Sequence, residues 1–571
     1  MKAAWRHIFW AGLFLVLLSG GCSSNYYRKS ADKEAYGIIE SKTPAVPNMD
    51  TNFTIEATNV LALESLPQVT EVEKFLGEFG ERERGARILS LEDALKVAIH
   101  SSRAYQSRKE QLYLSTLSLA LVRHEFTPIF SASASGTYGG QTERAVTIGV
   151  DEVTGEPKVI VSDNLVEQQR VSGGANLGAS WLIRDVGRIT AAMSADFIRF
   201  VTGDPRATSS SQLSATFVRP LWRDAGFKQQ LEALTQAERS LLYDLRDFTL
   251  YRKEFSVQIA STYYAVLGNR DAVRNAHENL GTARRNAERS RALAQEGREK
   301  QSALGWLEQE DLTAQSGWIN AIKNYQQSLD NFKIQLGLSV DAALVLDDRE
   351  LEKLRILDPN LSVEESIKVA LAARLDYLNS KERLEDANRK VGLAVNLLKP
   401  RVDLTANVVM NSDPNDNTGF PLPQTDRYAW SAGLNVDPGL DRVAERNAYR
   451  SALIARNQAE RQLTQQEDEI KLEVRDSWRT LEQAKRNYEI SEIGVKLAER
   501  RVEEQTLLAE LGRGDAKDQV GAQNALIDSR NQRTQAVVTH TIARLNFWRN
   551  LGILYIKDNG QWEDIKNANR Q

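Results

Sequence analysis

Two stretches of the chain carry apolar residues at the spacing of long helices. In residues 224–296 they recur at three, four and seven: Leu234, Leu241, Leu245, Phe248, Phe255, Ile259, Tyr263 and Val266. In residues 440–511 the alternation of four and three is stricter, through Ile470, Val474, Ser477, Leu481, Ala484, Tyr488, Ser491, Val495, Ala498 and Val502. That is the heptad signal of helices packed side by side. Neither stretch contains a proline. At 1.5 Å per residue, about seventy residues predict a rod of roughly 110 Å, longer than any single globular core, so the rods pack against other long helices in this chain or in its copies.

The pattern is written twice. Residues 89–128 align without a gap on residues 361–400, an offset of 272, with twelve of forty pairs identical, among them Leu89/Leu361, Ser90/Ser362, Glu92/Glu364, Tyr105/Tyr377 and Pro128/Pro400. Each copy opens on Leu-Ser-x-Glu, a capping-box signature with serine as the cap, then continues as an amphipathic helix and stops at a proline. Beyond the proline the period changes to two, the period of a strand. The first copy predicts strands over 128–138, 171–183, 188–201 and 212–218; the second predicts them over 400–410 and 427–436. Polar loops are expected over 139–169 and 411–425. Each copy leaves its last strand through Pro220 or Pro438 and enters a long helix. Each long helix ends at Gly-Arg, Gly297-Arg298 and Gly512-Arg513, where glycine permits a helix stop. A shorter helix returns and closes on Leu336-Gly337 or Leu551-Gly552. The unit of shorter helix, strands, long helix, turn and shorter helix is therefore duplicated.

This divides the chain into an N-terminal address at 1–21, a strap at 22–88 with little regular structure, a first repeat at 89–338, a connector at 339–360, a second repeat at 361–553 and a tail at 554–571. Lys2 and Arg6 followed by the apolar run 8–18 read as a secretory signal, too short to span a bilayer as a mature helix. It leads to Leu18-Ser19-Gly20-Gly21-Cys22, similar to a bacterial lipoprotein signal in which Cys22, the only cysteine, carries the lipid. An ordinary secretory signal with a chance cysteine is the other reading. A mean hydropathy of −0.43 excludes a polytopic helical membrane protein. A net charge of −4 with interspersed signs argues against nucleic acid as a partner. The histidines show no metal-ligand spacing, and the glycines at 173, 174 and 178 are not followed by the lysine of a phosphate loop, so neither an enzyme nor a cofactor is expected.

On the duplicated unit, the strand-to-helix exits at Arg219-Pro220-Leu221-Trp222 and Val436-Asp437-Pro438, and the Leu-Gly ends, the chain resembles the TolC family of outer-membrane efflux proteins from about residue 89 to 552. The resemblance implies a mainly α fold with a transmembrane β-barrel portion: a homotrimer whose helices form an α-barrel in the periplasm and whose strands share one β-barrel among outer-membrane lipids. It also implies a periplasmic adaptor protein and an inner-membrane pump as partners, with no cofactor. A sheet with open edges is not tolerated in lipid, so a few strands per chain require oligomerisation. Two strands per repeat are typical of the family; four are expected here in the first repeat, which leaves either a six-stranded contribution to a wider barrel or one hairpin outside the membrane.

The resemblance further implies a periplasmic gate at the second hairpin turn, with Asp518 where the family carries an aspartate and Asp515 three residues earlier; a ring of carboxylates attracts cations and resists closure. Gly521 stands where the family carries a second acid. Helix-starting acids in a solvated turn are the alternative. The tips Gly297, Arg298, Gly512 and Arg513 are expected to meet the adaptor, or else simply to end helices. Tyr138, Trp181, Phe197, Phe200, Tyr428 and Trp430 are candidates for the aromatic girdle of a barrel. Functionally, a passive conduit for efflux, a protein-secretion conduit, or a non-conducting lipid-anchored coiled-coil spacer of the envelope remain open; only the first two need the strands.

Overall fold

A computed structural model describes residues 23–56, 63–150, 157–202, 207–359, 361–416, 421–511 and 513–563. The signal segment, Cys22 and Gly512 lie outside the described residues. The chain divides into two compact units, one made of residues to 116, 241–383 and from 460 onward, the other of residues 117–240 and 384–459.

The strand-bearing unit holds one antiparallel sheet of six strands: β2 (Ile129–Val150), β3 (Pro157–Ile183), β4 (Gly187–Phe200), β5 (Ala207–Pro220), β7 (Arg401–Asn411) and β8 (Tyr428–Asp437), paired in that order. The four strands expected in the first repeat are present. The loop expected over 139–169 is not: β2 and β3 stay paired through it, to Val150 opposite Pro157. Part of the stretch does alternate, Val146-Thr147-Ile148-Gly149-Val150, with Val159-Ile160-Val161 opposite, but the glycines and the charges Glu143, Arg144, Asp163 and Glu167 beside it read as a loop. Ion pairs run between the helices of this unit. Arg239 meets Asp386 at 2.5 Å and Glu385 at 3.1 Å, and Arg389 meets Glu232 at 2.7 Å.

In the other unit the helices are α1 (Ser24–Lys42), α2 (Leu91–Ser101), most of α3 (Arg103–His124), most of α4 (Glu232–Gln295), α5 (Gln301–Leu336), α6 (Val363–Ala373), the start of α7 (Leu375–Leu397), most of α8 (Val443–Glu510) and α9 (Ala516–Asn550). The serine caps are as the sequence implies. Ser90 Oγ accepts from Asp93 N at 3.2 Å; Ser362 Oγ accepts from Glu365 N while Glu365 accepts from Ser362 N at 2.9 Å. A small parallel sheet joins β1 (Arg87–Leu89) to β6 (Leu344–Leu346) in the connector.

Two findings here depart from the sequence reading. The strap is not without structure, because Ser24–Lys42 forms a helix that buries only Ala35, Ile38 and Ile39. It is held by Tyr113 Oη donating to Asp32 at 2.6 Å, while further on Asn48 exchanges hydrogen bonds with Ile556 of the tail. Also, each repeat's first helix is broken in two, at Ser102 and at Arg374, both with ψ near 120°. These positions are 272 apart, so the break is duplicated with the rest. Its cause is tertiary. The returning helix of each repeat ends on a left-handed glycine, Gly337 or Gly552, each with φ of +81°. A Cβ on Gly337 would overlap the Ser101 carbonyl, and one on Gly552 would lie 3.1 Å from the Ala373 carbonyl. The Leu-Gly ends thus seat backbone against backbone at the breaks, a position open only to glycine.

Candidate channel elements: a two-faced sheet and the helical tips

Across-strand partners in an antiparallel sheet share a face. The strand registers therefore sort all six strands at once. One rung runs Phe130, Ala179, Ala191, Ala215, Val408, Trp430; two residues on, another runs Ala132, Leu177, Met193, Leu213, Met410, Tyr428. The rungs of opposite parity read Ile129, Ser180, Thr190, Thr216, Asn407, Ser431, then Ser131, Gly178, Ala192, Ser214, Val409, Ala429, then Ser133, Asn176, Ser194, Gln212, Asn411. One face is apolar and the other carries hydroxyls and amides. The polar side chains bond along it: Thr216 Oγ1 donates to Asn407 Oδ1 at 3.1 Å, as does Gln212 Nε2 to Asn411 Oδ1. At the distal end of this face a cavity of about 600 Å³ is lined by Ser194, Asp196, Ser210, Gln212, Asn411 and Arg427. Gly174 and Gly178 also face the polar side, where Asp196 and Ser131 lie close over them.

The apolar face has ends. Trp181, Phe217 and Trp430 lie at or within two residues of one level, nearest the helix exits; Phe197 and Tyr138 lie near the other. From Trp181 to Val171, the partner of Tyr138, is ten residues of β3. At ~3.3 Å per residue this is about 33 Å, or about 25 Å along a barrel axis at ~40° tilt, the height of an outer-membrane apolar band. Five of the six candidate girdle aromatics therefore fall on the apolar face. Phe200 does not: three residues beyond Phe197 on an unbroken strand, it points to the polar side. On β5, Ser209 and Ser211 interrupt the apolar face, and the β7–β8 connection covers both, Ser209 Oγ donating to the Asp416 carbonyl at 2.9 Å and Ser211 Oγ to that of Pro421.

In the helical unit the two long helices end alike. Arg298 N donates to the Leu293 carbonyl and Arg513 N to the Leu508 carbonyl, both at 2.9 Å. Gly297 has φ of +73° and Arg298 is exposed beside Glu296. Gly514 lies so close to α8 that a Cβ would stand 2.7 Å from the Ala509 nitrogen. Asp515 is the N-cap of α9, its carboxylate accepting from Lys517 N at 3.0 Å, and Asp518 lies exposed in the first turn. Acids at a helix N-terminus are stabilised by its exposed N–H groups. The capping role and exposure at the turn coexist in Asp515. Ala516 packs with Ala287 and Leu307, so the start of α9 meets the first hairpin. Sequence reasoning missed the polar cluster of Asp196, Gln212 and Arg427. Its signal was the polar spacing Ser194, Asp196 on β4 and Ser210, Gln212 on β5, legible only once the register is known.

No protein-family model matches the chain, and no curated protein sequence matches it. Solved structures do. CusC, described for conformational changes accompanying folding and transmembrane channel formation, superposes with a TM-score of 0.58 at 13% identity, over 81% of this chain and 92% of its own. The outer membrane protein VceC of Vibrio cholerae gives 0.57 at 14%, over 81% and 96%. The CmeC outer membrane channel of Campylobacter jejuni gives 0.55 at 13%, over 88% and 90%. The chain therefore has the TolC-like fold of outer-membrane channels, with long helices and an antiparallel sheet in one chain.

Proposed function

We propose that this chain is the outer-membrane channel of a multi-part efflux or secretion system: a passive conduit, not an enzyme, through which cargo reaches the exterior. The observation that carries the reading is the two-faced sheet. An apolar face about 25 Å tall, opposite a hydroxyl- and amide-rich face, suits a wall with lipid on one side and water on the other. A coiled-coil spacer has no use for it. Three copies form the conduit. Their helices make the water-filled periplasmic section, an adaptor meets the tips at Gly297, Arg298, Gly512 and Arg513, and an inner-membrane pump supplies the energy. Cys22 carries a lipid that anchors each copy to the outer membrane. Asp515 and Asp518 guard the narrow end, each supplying one carboxylate per copy to a ring. Their exposure supports this, and the helix-capping bond of Asp515 fixes where its charge sits.

Single-channel conductance in planar bilayers tests the reading. Purified wild type is expected to show discrete, cation-preferring openings, and Asp515→Ala/Asp518→Ala wider or less cation-selective ones. Openings unchanged by the double substitution discard the gate and keep the pore. Silence from folded oligomers, repeated in Arg513→Ala with its tip loosened, moves the assignment to the spacer.

A further inference from the structure

The sheet holds more strands than the resemblance led us to expect, and its two edges answer the question the sequence left open. β2 and β8 are the outermost strands, each with one hydrogen-bonded neighbour among the described residues. β8 is exposed at every one of its ten residues. A transmembrane strand needs about 9–11 residues, and its free N–H and C=O groups find no water in hydrocarbon. Resting on the trimeric conduit above, we propose that β8 of one copy pairs with β2 of the next, so that all six strands of each copy enter the wall and three copies close an eighteen-stranded barrel.

Three features of the sheet fit this partner. First, direction: pairing is antiparallel at every step from β2 to β8, so the two edge strands run in opposite senses. β8 therefore meets β2 of another copy antiparallel, and the alternation continues unbroken around the ring. Second, length: Tyr428–Asp437 spans ten residues, and the membrane part of β2, from Ile129 to Tyr138, spans ten as well. Third, face: Phe130, Ala132, Ala134 and Tyr138 on β2 and Tyr428, Trp430, Leu434 and Val436 on β8 lie on the same apolar side as every strand between. A hairpin held outside the membrane has no reason to carry that alternation. β2 and β3 carry it from Phe130 to Tyr138 and from Val171 to Trp181, and the glycines and charges of residues 139–144 interrupt it beyond.

The consequence concerns cargo. Barrels of sixteen to eighteen strands enclose an aqueous channel rather than a packed interior. The barrel is then the wide part of the conduit. Its middle rungs present uncharged hydroxyls and amides, so size and charge selection fall to the helical end.

Imaging the purified wild-type oligomer in lipid nanodiscs counts the strands directly. Eighteen is the expected result. Twelve, with the β2–β3 hairpin lying off the wall, overturns this proposal and leaves the conduit intact. Monomers without a closed barrel overturn the conduit reading itself. An independent measurement uses introduced cysteines in outer membranes: Ser431→Cys combined in turn with Ser131→Cys, Ser133→Cys or Ser135→Cys. One of the three pairs is expected to give a disulfide-linked ladder ending at three chains, because neighbouring strands hold Cα atoms within disulfide reach. Linkage of Ser431→Cys to Thr190→Cys or Ser194→Cys instead makes β4 the edge and overturns it. Single-cysteine variants that reach the membrane but form no ladder serve as controls.

Discussion

The long helices of the two repeats, α4 and α8, correspond residue for residue at an offset of 215, the distance from Gly297 to Gly512. Along one stripe they are alike. Phe255, Ile259 and Val266 are buried in α4, as are Ile470, Val474 and Leu481 in α8. The same offset links Tyr263 against Phe332, edge-to-face at 6.0 Å between centroids, to Trp478 against Phe547 at 5.6 Å. Off the stripe they part. Leu245, Lys253, Ser256, Ala260, Tyr264 and Leu267 are buried in α4, and their counterparts are Glu460, Asp468, Lys471, Arg475, Arg479 and Glu482. The first helix has a second covered side because the strap and tail of its own chain lie against it: Phe53 meets Phe248 at 5.6 Å, Arg252 donates to the Asn48 carbonyl and Lys253 to that of Gly552. The second helix has no such cover and is charged there instead. Duplication fixes one stripe; the rest of each helix answers to what happens to lie beside it.

Four measurements break or sharpen the comparison, beginning with the largest effect. Phe332→Ala and Phe547→Ala remove fully buried rings from equivalent places. Each is expected to cost about 3–5 kcal/mol of stability by urea titration, alike in both repeats; a much smaller loss in one would show that its core is not the duplicate of the other. Next come the helix-break glycines. Both have φ of +81°, but only at Gly337 would a new Cβ overlap a carbonyl; at Gly552 it meets contacts of 3.1 Å. Gly337→Ala is expected to cost about 3–4 kcal/mol and Gly552→Ala about 1–2 kcal/mol, the left-handed backbone with a tight contact but no overlap. Equal losses would place the cost in the backbone and remove the packing argument.

The third measurement uses the pair with opposite surroundings, Lys253 and Asp468. Burial, then the neighbouring Arg252, pushes the Lys253 ammonium down to about 8. A lysine whose folded pKa is lowered penalises the fold fully below that value, and the penalty is relieved as pH rises from about 8 toward the unfolded value of 10.5. Wild type is therefore expected to gain stability between pH 8 and pH 10, relative to Lys253→Met, by about 1–3 kcal/mol. Asp468→Asn, at an exposed site, is expected to leave that difference unchanged. Melting profiles at several pH values decide it, and a flat difference would mean Lys253 is solvated. Last, Asp515→Ala is expected to cost about 1 kcal/mol as a lost cap, read as faster amide exchange over the first turn of α9; Lys300, at the start of α5, makes no side-chain cap bond, so Lys300→Ala is expected to do nothing there.

Much of this architecture was legible in the sequence because periodicity reports packing directly. The heptad stripes, the serine caps, the four strands of the first repeat and the glycine turn at Gly297 are all places where local chemistry and tertiary role coincide. What escaped was set from elsewhere in the chain. Nothing local breaks the helix at Ser102 or Arg374, where neither glycine nor proline stands; the cause sits at Gly337 and Gly552. Helix α1 has too few apolar residues to announce itself and gains its place from partners such as Tyr113. The extended β2–β3 hairpin interrupts its short apolar runs with glycines and charges, so pairing rather than an unbroken alternation defines it. Phe200 was misplaced because an aromatic near the end of a strand says nothing about face until the register is counted. The tip acids were found by resemblance, while their capping geometry needed the fold.

The six-stranded sheet also sets an order of events during biogenesis. β2 to β5 pair with near neighbours and form a local meander, but β5 finds β7 only across a large gap, Gln212 opposite Asn411, 199 residues later. Loop-closure entropy makes such a contact slow, and until it forms the meander presents a bare strand edge, a template for misassociation. The second repeat's hairpin thus arrives last, and the time between synthesis of β5 and synthesis of β7 is when the nascent chain most needs an escort.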